Sequence, residues 1–124
     1  MNLDEALRAH VEWKMRLSAY VRDPDGSLRL STVTDDTACD LGKWILGEAA
    51  TLYSQDEAYA ELKASHTAFH RAAAQLIRRV HGGEEVFQET LLGSGSGYAL
   101  SSSEVVRHLI GMKVSYSQEH SSQN

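Results

Sequence analysis

The sequence predicts an all-α protein, a four-helix-bundle-like domain with a short extra helix carrying Cys39. Three observations predict it. Apolar residues recur at three- and four-residue intervals along three long stretches, the spacing of a helix with one buried stripe. Clusters rich in Gly, Asp and Ser separate these stretches, where helices stop and turns form. The length, 124 residues, suits one domain able to bury its own core without disulfides.

The first helix runs from Leu3 to about Arg22, with Leu3, Ala6, Leu7, His10, Trp13, Leu17 and Tyr20 on its inward stripe. Asp23-Pro24-Asp25-Gly26-Ser27 ends it, because proline suits a turn and glycine can take a positive φ. Leu28 to Val33 is expected to be a loop lying across the bundle. Thr34-Asp35-Asp36-Thr37 is dense in N-cap residues, and Thr37 with Asp40 has capping-box spacing, so a second helix is expected to begin there with Cys39 in its first turn. Trp44 and Ile45 supply its buried anchor, and Gly47 ends or bends it. Ser54 or Asp56 caps a third helix running to His81 and stopped by Gly82-Gly83. Its stripe is Tyr59, Leu62, His66, Phe69, His70, Ala73, Leu76, Ile77 and Val80. Glu84 to Leu92 reads as a short helix, and Gly93-Ser94-Gly95-Ser96-Gly97 as a flexible loop. Ser101-Ser102-Ser103-Glu104 offers the start of a last helix built on Val105, Leu109, Met112 and Tyr116. The expected organisation is one domain over 1–117 and a polar tail over 118–124.

Composition narrows the functional classes. A net charge of −5 with interspersed signs gives no footprint for gripping a phosphate backbone, so nucleic acid is not expected as a partner. No apolar run approaches the roughly 18 to 20 residues needed to cross a bilayer, and the acidic start, Met1 to Glu5, is unlike a secretory signal. With one cysteine, the expected location is the cytoplasm.

One thiol cannot form a disulfide within the chain, so chemistry at Cys39 needs ligands of another kind. His66 and His70 lie four apart, only about 40° around a helix axis, so both imidazoles can face one ion. His10 lies on the inward stripe of the first helix. A buried imidazole without a partner is costly, and three in one core call for a shared explanation. Zinc supplies one: a closed Cys/His/His/His site formed by His10, Cys39, His66 and His70. Thiolate at a helix start is favoured by free backbone amides. Asp40 and Glu12 could orient the imidazoles, though surface or capping roles suit them better. His81, His108 and His120 are placed at a helix end, a rim and the tail.

These residues resemble the chemoreceptor zinc-binding (CZB) domains attached to bacterial chemotaxis receptors and diguanylate cyclases. The pattern is carried by His10 with Trp13, by Cys39 with Leu41, Gly42 and Trp44, and by His66 with His70, with 28 residues between His10 and Cys39 and 26 between Cys39 and His66. The resemblance implies a helical bundle that dimerises, zinc held by the four residues, and a sensory function in which metal occupancy or cysteine oxidation alters an output domain. No output domain is visible in this sequence, so the expected effect is on a separate chemoreceptor-type or cyclase-type partner, the chain being free-standing or an excised piece.

Two enzyme readings compete. A zinc hydrolase would need an open ligand position, and His-Glu-x-x-His is absent. A di-iron bundle would need Glu-x-x-His, which also does not occur. The expectation is therefore a non-enzymatic regulatory domain.

Overall fold

A computed structural model describes residues 2–122 apart from 25, 27, 38 and 85–96, with the backbone alone over 115–122. The fold is an all-α bundle. Six helices follow in order among the described residues: α1 (Leu3–Arg22), α2 (Leu30–Thr34), α3 (Asp40–Leu46), α4 (Glu48–Tyr53), α5 (Glu57–His81) and α6 (Gly97–Ser122). Three are long and three are short.

Helix α1 begins with a reciprocal cap, in which Glu5 donates its amide to the Asn2 side chain at 2.8 Å and Asn2 donates its amide to the Glu5 carboxylate at 3.2 Å. Its stripe buries Leu3, Ala6, His10, Leu17 and Tyr20, as the periodicity requires. The segment expected as a loop instead contains α2, a five-residue helix that buries Val33 completely. So short an element carries too little periodicity to be seen in sequence.

The start of α3 also differs from expectation. Thr37 is held outside the helix, because both its amide and its hydroxyl donate to the Asp35 carboxylate, at 3.0 and 2.6 Å. This local turn competes with helix formation. Cys39 is itself the N-cap, its sulfur accepting from the Gly42 amide. At Gly47 the chain bends from α3 into α4, with its amide still donating to the carbonyls of Lys43 and Trp44.

Helix α5 is the central element. It packs most extensively on α6 and also carries α2, while α1 packs against α3 and α6. Between α1 and α5 the contact is made by rings: Phe69 meets His10 at 4.7 Å and Trp13 at 5.4 Å between centroids. Tyr59 donates its hydroxyl to the Ile45 carbonyl at 2.8 Å, fixing α3 to the start of α5. At the other end Tyr20 and His81 share a 2.8 Å hydrogen bond, so His81 ties α1 to α5. Arg78, Arg79 and His81 in the last turn complement the helix dipole, and Gly83, at φ +91°, lies just beyond the end.

The expected short helix over 84–92 and most of the 93–97 loop lie outside the described residues. Helix α6 starts at Gly97, not at Ser101, so the serine run lies within it. Tyr98, Ser102, Val105, Leu109 and Met112 form its buried stripe, and this inward face continues the helix upstream of the expected cap. Its backbone stays helical to Ser122.

Candidate metal centre

The pieces of the centre come from two places in the chain. Cys39 stands at the N-terminus of α3, and His66 and His70 project from one face of α5. The Cys39 sulfur lies 3.3 Å from His66 Nε2 and 3.5 Å from His70 Nε2, and one ligand atom from each residue falls within 4.8 Å of the others. Both histidines are buried and Cys39 is partly so.

Local sequence explains the convergence. Gly42 lies one turn into α3, and a Cβ there would come within 1.8 Å of the Asp36 carbonyl oxygen and 3.2 Å of His66 Cε1. Only glycine lets the helix start lie this close to the preceding loop and to the imidazole. Asp36 is fixed in turn by Thr67, which donates its hydroxyl to the Asp36 carboxylate at 2.7 Å. The loop before Cys39 is thus pinned to α5 one residue past His66.

Hydrogen bonding sets the tautomer of His70. Its Nδ1 lies 2.8 Å from the Val33 carbonyl, which can only accept, so Nδ1 carries the proton and Nε2 turns its lone pair to the sulfur. This is the outer support usual for a metal-binding histidine. Trp13 covers the same ring at 4.7 Å.

The electrostatics favour neutral imidazoles. Burial lowers His66 to about 4, with a further push from His70, while the Asp36 carboxylate opposes it. His70 is lowered by burial, against the Val33 carbonyl and the charges of Asp36 and Asp35. Burial pushes the Cys39 thiol up, while amides at Gly42 and Leu41 pull it down. Without a cation the sulfur keeps its proton and can give it to the His70 nitrogen; a cation instead takes the sulfur and both imidazoles as donors.

The donor set fits zinc. Tetrahedral zinc, with bonds of about 2.3 Å to sulfur and 2.0–2.1 Å to nitrogen, puts S and N donors roughly 3.5 Å apart. The two sulfur–nitrogen separations here, 3.3 and 3.5 Å, match that spacing.

His10, the fourth residue expected at the site, is buried close by on α1, but its Nε2 lies 3.0 Å from the Ser102 hydroxyl on α6 and it is not one of the three convergent donors. Burial lowers it to about 3, helped by Lys14, His66 and His70. A cavity of about 250 Å³ is lined by His10, Cys39 and His66, together with Trp13 and Arg16. Glu12 and Asp40 line its exposed rim.

A family profile described as the chemoreceptor zinc-binding domain matches residues 10–77, more than half of the chain and all of the block from His10 through His70. The chain belongs to the CZB family. Searches of the curated proteins and of the solved structures find no significant match. As a CZB domain it is a zinc-binding domain of a regulatory kind, and Cys39, His66 and His70 are placed to hold the ion.

Two contacts of this CZB domain escaped the sequence reading. The Val33 carbonyl could not be found, since a backbone group leaves no residue-type signal. Ser102 could have been. It falls four residues after Tyr98, three before Val105 and seven before Leu109, on the stripe of α6 that faces inward.

Proposed function

We propose that this CZB domain is a sensory module whose zinc site, formed by Cys39, His66, His70 and His10, regulates a chemotaxis or cyclic-di-GMP signalling partner in response to zinc, to oxidants, or to both. The observation that carries the reading is the meeting of one sulfur and two imidazole nitrogens at the spacing of tetrahedral zinc. His10 as fourth ligand is supported by its burial beside the shared cavity and by the neutral state that burial imposes.

Bound zinc supplies a cross-link between helices and keeps the sulfur as thiolate. Four protein donors leave no open position for a water, so the reading is regulatory and not hydrolytic. Cys39 anchors the start of α3, His66 and His70 anchor α5, and His10 brings in α1. Loss of the ion frees α1 and α3 relative to α5, a change that a partner can read. Oxidation of Cys39 removes the anionic donor and gives a second input. The sulfur borders the cavity and is partly exposed, which supports access.

A homodimer belongs to the same reading. Val11 and Met15, one turn apart on α1, and Ile110 and Val114, one turn apart on α6, are exposed apolar residues available to a second copy.

Elemental analysis of the purified protein, followed by a competitive zinc titration, tests the proposal. One zinc per chain is expected, and Cys39→Ser should lower the content sharply. Full occupancy in that variant would remove the cysteine from the site. A dissociation constant far tighter than free intracellular zinc would assign the signal to oxidants.

A further inference from the structure

Ser102 is buried and its hydroxyl lies 3.0 Å from His10 Nε2, joining the middle of α1 to the first turns of α6. Among the described residues Ser102 is the polar partner of the His10 ring, which otherwise packs edge-on against Phe69. The nitrogen that meets Ser102 therefore faces α6, while the convergent donors lie on α5 and at the start of α3. His10, Cys39 and His66 share the lining of one cavity of about 250 Å³, large enough for an imidazole to turn into.

We propose that Ser102 is a positioning residue that competes with the metal for His10: the imidazole is bonded either to Ser102 or to zinc, and the exchange passes the state of the centre to α6. The inference rests on the reading of His10 as fourth ligand. The proposal takes Nε2 as the zinc donor of His10, and one nitrogen, with a single lone pair or N–H, cannot serve a hydroxyl and an ion at once. When His10 leaves, the Ser102 hydroxyl can turn to the carbonyl four residues earlier in its own helix, a bond open to serine inside helices. The exchange thus leaves no buried hydroxyl stranded. It also removes a direct polar tie between α1 and α6, so α6 senses metal without contributing a ligand.

The test is a zinc competition titration of the full chain in four forms: wild type, Ser102→Ala, His10→Ala and the double variant. Alanine keeps the helix and removes only the competitor. In Ser102→Ala the buried His10 nitrogen is left unpaired in the zinc-free state and not in the zinc-loaded one, which corresponds to about fivefold tighter zinc binding. In the His10→Ala background the same substitution should change nothing. Unchanged or weaker binding in Ser102→Ala, with His10→Ala still weakening zinc, would overturn the competition while leaving the four-ligand site intact. If His10→Ala binds zinc as tightly as wild type, the four-ligand reading fails and this inference with it. Nitrogen-15 spectra of the His10 ring give an independent readout. Nε2 should shift on Ser102→Ala in zinc-free protein and not in zinc-loaded protein; the reverse pattern would overturn the exchange.

Discussion

The Gly42 amide donates to the Cys39 sulfur at 3.2 Å, and the missing side chain of the same glycine is what lets the Asp36 carbonyl and the His66 ring close around it. One residue therefore both caps the ligand and clears its space. The φ of Gly42 is not in the left-handed region, so its requirement is steric. Gly42→Ala should destabilise the fold by about 1–3 kcal/mol through overpacking and weaken zinc binding, as measured by urea unfolding and metal titration. An alanine variant with wild-type values in both would show that the loop before Cys39 is free to retreat.

The Val33 carbonyl fixes the orientation of His70. Nitrogen-15 spectra of zinc-free protein at neutral pH should therefore show His70 as the Nδ1–H tautomer, with Nε2 unprotonated. Zinc addition should move Nε2 and leave Nδ1 protonated. A protonated Nε2 in the free protein would place the α2 carbonyl elsewhere.

Phe69 touches both sides of the centre, packing on His10, Trp13, His70 and Tyr98 while almost fully buried. Phe69→Leu leaves part of its space unfilled and should cost about 1–3 kcal/mol, with Phe69→Ala nearer 3–5. Both should lower zinc affinity, because the His10 and His70 rings lose a common wall. Thermal unfolding with and without zinc separates the two effects.

Stability of the zinc-free protein should depend on pH through its buried imidazoles. His10 and His66, lowered to about 3 and about 4, are neutral in the folded state, whereas the unfolded chain takes up protons below its ordinary pKa of 6.5. Unfolding therefore binds protons, and stability, fully present above pH 6.5, is lost as pH falls toward the folded values. The loss should reach about 2 kcal/mol from each histidine by pH 5. Zinc affinity should fall over the same range, since the Cys39 thiol, pushed up by burial, must release its proton to bind the metal. Denaturant melts between pH 5 and 8 check the slope, and a flat profile would mean that these histidines are solvated.

Much of this was legible in the sequence. The α5 stripe already placed His66 and His70 on a buried face four residues apart, and the amphipathic spacing of α1 put His10 inside. The details of the cysteine end were not. Thr37 has the composition of an N-cap, but Asp35 captures it, which shifts the helix start to Cys39. Helix α2 is too short for periodicity to register, though it supplies the carbonyl that orients His70. In α6 the three serines read as a start signal, and the burial of Tyr98 and Ser102 is what shows them to be helix interior. Local propensity failed where tertiary contacts decided the backbone.

No helix among the described residues is long and apolar enough to cross a membrane, and the most direct experiment addresses the metal shell itself. That experiment is zinc K-edge X-ray absorption on the stoichiometrically loaded protein. One sulfur at about 2.3 Å and three nitrogens at about 2.0–2.1 Å are expected, with the sulfur shell lost in Cys39→Ser. A wild-type spectrum without sulfur, or with oxygen donors completing a shell of five or six, would contradict the four-ligand site.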